Sequence, residues 1–75
     1  MRVKIKYRNV EQVVILKNIH KEQGGNGECW LIISHAYDTE CAEMTNREAD
    51  SFINQVLTEG FFDATPYEWQ SYSRI

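Results

Sequence analysis

The sequence predicts an α+β fold, a small antiparallel meander of three to four strands with one amphipathic helix packed across one face. Charged and apolar residues alternate in "RVKIKYR" near the N-terminus, and a turn signal separates two β-rich segments in the middle of the chain. A third segment has apolar residues at helical spacing between two helix caps. The 75 residues are expected to form a single domain, 1–75, with a small core.

The first strand is predicted at about residues 2–8. Val3, Ile5 and Tyr7 alternate with four cations, which is the period-2 pattern of a half-buried strand. The apolar side chains are expected to face the core. The cations are expected to face outward, and they are Arg2, Lys4, Lys6 and Arg8.

The second and third strands are predicted at about residues 12–21 and 28–37, both rich in β-branched and aromatic residues. "GGNG" lies between them, and Asn26-Gly27 favours a two-residue type I′ turn because that turn needs positive φ at both central positions. Both segments are apolar on both faces, so the hairpin is expected to be covered on both sides.

The helix is predicted at about residues 46–59. Thr45 and Glu48 form a capping box signature, Met44 and Ala49 are spaced for a hydrophobic staple, and Gly60 suits a left-handed C-terminal cap. "DTECAEM" before the helix predicts a turn and a short fourth strand. The expected core-facing stripe consists of Ala49, Phe52, Ile53, Val56 and Leu57.

The C-terminal segment, residues 61–75, is too aromatic for a solvated terminus. Pro66 excludes a central strand, while Tyr67 and Trp69 alternate as in a short edge strand. One helix covers one face of the hairpin, so the second face requires other cover. This segment, a second copy of the chain or a partner protein could supply that cover.

Charge is distributed unevenly in a chain of net charge −3. Residues 1–36 carry six Lys or Arg against three Glu, whereas residues 37–75 carry two Arg against eight Asp or Glu. Such asymmetry indicates a macromolecular partner, although the two halves could also neutralise each other in the fold. The apolar segments are too short for a secretory signal or a membrane span, which favours a cytoplasmic protein with reduced cysteines.

Residues that could carry chemistry are few, and no metal, cofactor or catalytic site is predicted. His20, Cys29 and His35 would share a face if the hairpin turn has two residues, but zinc motifs need a C-x₂-C pair that is absent. A thiol nucleophile would require Cys29 or Cys41 beside His35 and Asp38, and no local signature supports this arrangement.

The leading functional prediction is a small non-enzymatic interaction or regulatory protein that binds a protein partner. An inhibitor of a nucleic-acid-handling protein, of the kind that mobile elements encode, fits this size and charge. Aromatic anchors and acidic groups would recognise a basic partner. The predicted contact residues are Tyr67, Glu68, Trp69, Tyr72, Glu40 and Glu43.

Two other functions compete with this prediction. The first is a nucleic-acid-binding module that uses the outward cations Arg2, Lys4, Lys6 and Arg8, although outward charge also protects an edge strand from unwanted pairing. The second is a small metal-dependent or thiol-dependent enzyme, which ranks last.

Overall fold

The computed structural model describes residues 1–72, which form one helix packed on a mixed six-stranded sheet with the order β5-β1-β2-β3-β4-β6. The predicted α+β class is therefore correct, but the sheet has more strands than expected. Residues 73–75 of the predicted aromatic segment lie outside the described residues. The elements are β1 (Arg2–Tyr7), β2 (Val10–Gln23), β3 (Glu28–His35), β4 (Thr39–Thr45), α1 (Asn46–Glu59), β5 (Phe61–Asp63) and β6 (Gln70–Ser71).

The two additional strands both come from the segment after the helix. β5 pairs with β1 in parallel, and β6 pairs with β4 in antiparallel orientation. Gly60 adopts the left-handed conformation that ends α1, and its carbonyl accepts a hydrogen bond from the Lys4 N–H at 2.8 Å. The explanation of the N-terminal cations as edge protection is therefore wrong, because β1 lies between β2 and β5.

β2 is longer than predicted and is shared between two sets of partners. It pairs with β1 over Val10–Ile15 and with β3 over Leu16–Gln23. The register shifts between Leu16 and Asn18, which places a bulge at Lys17. A bulge adds one residue to a strand, so the side chains beyond it point to the opposite face from the one that simple alternation predicts. Even-numbered residues face the helix before Lys17, and odd-numbered residues face it afterwards.

The hairpin between β2 and β3 contains the expected turn but not the expected register. Asn26 and Gly27 both have positive φ, and the Glu28 N–H donates to the Gly25 carbonyl as in a type I′ turn. Gly24 then pairs with Glu28, so Gly25 is an additional residue on one side of the turn. This shift of one residue determines which side chains share a face.

The helix occupies the predicted range, Asn46–Glu59, and both halves of the capping box are present. The Thr45 hydroxyl accepts from the Glu48 N–H at 3.1 Å, and a Glu48 carboxylate oxygen accepts from the Thr45 N–H at 3.0 Å. These bonds satisfy donors that the first turn leaves unpaired, and they lower the pKa of Glu48.

The core lies between α1 and one face of the sheet. Phe52 is buried against Phe62, whereas Leu57, predicted to belong to the same stripe, is 55% exposed. The helix therefore packs through a narrower stripe than the sequence predicts. The main buried cluster is formed by Val3, Val14, Cys29, Leu31, Ile33, Ala42, Met44, Ala49, Phe52, Val56, Phe62 and Ala64.

We call the opposite side of the sheet the open face, and it is covered in part. Ile32 and Cys41, which are cross-strand neighbours there, are buried, while Val13 and Ile15 are 55% and 49% exposed. The expectation of cover on both faces thus fails at β2. Within residues 1–72, no helix is long and apolar enough to cross a membrane.

Candidate partner-binding groove

The segment after β5 is held to the sheet by a series of local hydrogen bonds. The Asp63 carboxylate accepts from the Thr65 N–H at 2.9 Å. The Thr65 hydroxyl, and after it this N–H, lowers the pKa of Asp63. The Thr65 hydroxyl also accepts from the Arg8 N–H at 2.7 Å. The chain is therefore fixed at Thr65, just before Pro66.

Tyr67 and Trp69 do not form the predicted edge strand. Both rings pack against Phe52, with centroid separations of 5.7 and 5.9 Å, and both are partly buried. The Trp69 indole N–H donates to the Ala64 carbonyl at 2.9 Å. The edge strand begins only at Gln70 and ends at Ser71, because Tyr67 and Trp69 pack on the core before it.

A groove of about 430 Å³ lies between this segment and the β3–β4 pair. Trp30 and Glu43 face each other across β3 and β4, and they provide one wall. The other wall comes from the turn before β6. We call this feature the acidic–aromatic groove, and its lining residues are Trp30, Glu43, Pro66, Tyr67, Glu68, Trp69 and Gln70.

The charge of this groove is negative. Glu43 and Glu68 line it, and no Lys or Arg of residues 1–72 does so. Neither carboxylate takes part in an ion pair with another residue in that part of the chain. The Tyr67 hydroxyl donates to Glu48 at 3.4 Å, and partial burial together with that carboxylate raises the pKa of Tyr67. The groove therefore presents carboxylates beside aromatic surface, which is an arrangement that attracts cations.

The structure brings together four of the six predicted contact residues, namely Tyr67, Glu68, Trp69 and Glu43. Glu40 lies elsewhere, because its carboxylate accepts from the His35 Nε2–H at 3.1 Å in a separate cleft. Tyr72 is also elsewhere, since its hydroxyl donates to Glu22 at 2.9 Å across the open face. That bond raises the pKa of Tyr72.

Trp30 is the main groove residue that the sequence analysis did not identify as a contact. The available signal was its position in β3, where it alternates with the buried residues Cys29 and Leu31. That alternation places its ring on the open face, beside the strand that pairs with β3. The sequence does not show that the strand would be β4 with Glu43 opposite Trp30.

The N-terminal cations are distributed over the surface rather than gathered in a cleft. Arg2, Lys4 and Lys6 lie on the open face, and the Lys4 ammonium pairs with Glu11 at 3.5 Å. Arg8 is in the β1–β2 turn with positive φ, and its guanidinium lies 5.3 Å from the centroid of the Tyr7 ring. Alternation predicted four cations on one face of β1, but only three of them lie there.

The cysteines and histidines are separated by the register of the sheet. His20 pairs with Ile32 on the open face, where it contacts Asn18 and Glu22, so it does not share a face with Cys29 and His35. Within residues 1–72, no group of three His, Cys, Asp or Glu is placed to hold a metal ion.

The thiols are also poorly placed to act as nucleophiles. Six positions of one strand separate Cys29 from His35, which corresponds to about 20 Å. Cys41 lies on the opposite face of the sheet from His35. Burial raises the pKa of both thiols, and nearby carboxylates add to the increase, although Lys21 partly opposes it at Cys29. Little thiolate therefore forms at neutral pH.

Comparison with known proteins finds no matching family model, no matching curated protein and no matching solved structure.

Proposed function

We propose that this protein is a small non-enzymatic binding protein whose acidic–aromatic groove takes an extended basic segment of a partner protein. The supporting observation is the joint placement of Glu43 and Glu68 with Trp30 and Trp69 around one groove that no Lys or Arg of residues 1–72 lines. Both acids carry negative charge, so a Lys or Arg side chain that enters the groove meets charges of opposite sign only.

The aromatic rings give the groove a second mode of recognition. A Lys or Arg side chain has an apolar stem and a cationic end, so it can lie on an indole while its charge meets a carboxylate. Trp69 is already held by its indole N–H and by packing on Phe52, so little conformational entropy is lost when it contacts a partner.

A basic segment of this kind is typical of surfaces that bind nucleic acid. By occupying such a surface, the groove would compete with the nucleic acid and inhibit or regulate the partner. This mechanism corresponds to the inhibitor predicted from charge and size, and it requires no catalytic residue.

A peptide titration tests the proposal. An extended peptide that alternates Arg with Ser should bind the full chain, and a matched peptide with Gln in place of Arg should not. Replacing both groove acids, Glu43→Gln with Glu68→Gln, should weaken binding by up to about thirtyfold, if each charge pair contributes up to about 1 kcal/mol. The matched control removes two acids outside the groove, Glu28→Gln with Glu59→Gln, and should leave affinity nearly unchanged. Equal losses in the two double variants would mean that only net charge matters.

Binding of nucleic acid is the alternative function. It is favoured by one observation, the position of Arg2, Lys4 and Lys6 on the open face beside the exposed side chains of Val13 and Ile15. Lys4 is partly neutralised by Glu11. The β2 residues opposite these three cations are Ile15, Val13 and Glu11, and none of them has an aromatic ring on which a base could stack. This alternative therefore ranks second.

A further inference from the structure

A second concave site lies on the helix side of the sheet, where the two halves of β2 diverge. β2 pairs with β1 up to Ile15 and with β3 from Leu16 onward. The end of β3 and the start of β4 therefore face β1 and the first half of β2 across a gap. The gap is a cleft of about 370 Å³, within the range of small-molecule sites. We call it the His35 cleft.

The floor of the His35 cleft is apolar. Val14, Ile33 and Phe62 form it, and all three belong to the buried core. Tyr7 and Trp69 also line the cleft. This combination is suited to the ring or short chain of a small organic molecule, because such a body would displace water from apolar surface.

The polar end of the cleft is acidic and held in position. His35, with 7% of its side chain exposed, accepts a hydrogen bond at Nδ1 from the Tyr37 N–H at 3.3 Å. Its ring proton is therefore on Nε2, which donates to Glu40 at 3.1 Å and fixes that carboxylate. The second acid, Asp38, is fixed because its carboxylate accepts from the Thr39 N–H at 2.8 Å and its carbonyl accepts from the His35 N–H.

We propose that the His35 cleft binds a small organic cation, an amine with a compact apolar body. The ammonium group would lie at Asp38 and Glu40, and the apolar body would lie over Val14 and Phe62. No Lys or Arg of residues 1–72 lines the cleft, so an anion would meet two carboxylates without a compensating charge. This proposal does not rest on the acidic–aromatic groove, because the acids of the two sites differ, although Trp69 lines both.

Three probes of nearly equal shape test the charge preference in the full chain by calorimetric titration. They are 2-phenylethylammonium, the neutral 2-phenylethanol and the anionic phenylacetate. The ammonium should bind saturably, the alcohol at least about tenfold more weakly, and the carboxylate not measurably. Alcohol or carboxylate binding as tight as that of the ammonium overturns the proposal, as does the absence of saturable ammonium binding.

Variants locate the site. Glu40→Gln should weaken ammonium binding by about tenfold, and its amide oxygen can still accept from His35 Nε2–H, so the fold should persist. Gln12→Phe, at an exposed position that lines the cleft, should obstruct it without touching the core. Glu59→Gln, at an exposed position outside both sites, is the control and should leave ammonium binding unchanged. If both cleft variants melt like the unmodified chain and retain full affinity, the ammonium binds elsewhere and the proposal is wrong.

Discussion

At the residue scale, Phe52 and Leu57 show how two members of one predicted stripe differ in burial. Phe52 is 6% exposed and touches Phe62, Tyr67 and Trp69, with the closest ring centroids 4.5 Å apart. Leu57 is 55% exposed. Phe52→Ala should therefore lower the free energy of unfolding by about 3–5 kcal/mol, which is as much as a domain of this size usually has. Leu57→Ala should change it by about 0.5 kcal/mol or less.

Urea denaturation of the two variants checks this difference, and Phe52→Leu offers a milder change if the alanine variant does not fold. A similar loss at both positions would show that α1 packs through a wider stripe than the structure has. Helical spacing alone placed both residues on one face. It could not show that the sheet beneath reaches Phe52 but leaves Leu57 in solvent.

At the scale of elements, the capping box makes the helix sensitive to acid. Hydrogen bonds from Thr45 lower the pKa of Glu48 below its ordinary value of 4.5. The contribution of the ionised Glu48 to stability is therefore complete above pH 4.5 and is lost as the pH falls through the lower value of the folded state. Glu48→Gln should lower the melting temperature at neutral pH, and the difference should shrink on acidification. A difference that stays constant down to pH 2 would mean that the charge of Glu48 contributes nothing.

The β2–β3 turn gives a matched pair of glycines. Gly27 has φ of +77° and Gly25 has an ordinary φ, while neither would bring a new side chain within 4 Å of another residue. Gly27→Ala should cost about 1–2 kcal/mol because an L-residue is strained in the left-handed region. Gly25→Ala should be neutral or stabilise by about 0.4–1 kcal/mol. Thermal melting of both variants compares them, and an equal cost would show that the turn is not type I′.

The same elements show which parts of the fold can be predicted from sequence. Helix caps, turn glycines and strand alternation are local signals, so α1, the first four strands and the Asn26-Gly27 turn follow from them. The bulge at Lys17 and the additional residue Gly25 have no such signal. Each shifts the register by one residue, and together they put Ile19 on the helix side and His20 on the open face. The pairing of β5 with β1 depends on packing between distant segments, which local patterns do not specify.

At the scale of the whole molecule, charge separates the two candidate partners. Acidic residues predominate after residue 36, so nucleic acid should be repelled as a whole even though β1 is basic. We expect no binding of single- or double-stranded nucleic acid at physiological salt in a fluorescence titration. Replacing Lys4 and Lys6 with Gln should leave peptide binding intact and change stability by about 0–1 kcal/mol per ion pair. A micromolar nucleic-acid complex that these two substitutions abolish would make β1 the binding surface.

Only part of the candidate site can be predicted from sequence, because local patterns do not specify which distant segments pair. Tyr67, Glu68 and Trp69 are adjacent in sequence, so composition alone indicated them, and Glu43 was found among the acidic residues. Trp30 and the separation of Glu40 from the groove depend on the pairing of β3 with β4 and on the bond from His35. Both depend on strand register, which the sequence pattern does not reveal.

A chemical-shift titration tests the central claim most directly, because the chain has two tryptophans and both line the acidic–aromatic groove. The Trp30 indole N–H reports on this groove alone, whereas that of Trp69 also reports on the His35 cleft. The amides of Val13 and Ile15 report on the part of the open face beside β1. On addition of the Arg–Ser peptide to the full chain, the Trp30 and Trp69 signals should shift saturably and those of Val13 and Ile15 should stay in place. Shifts confined to Val13 and Ile15, or a Trp30 signal that does not move while the peptide binds, would contradict the assignment of partner binding to this groove.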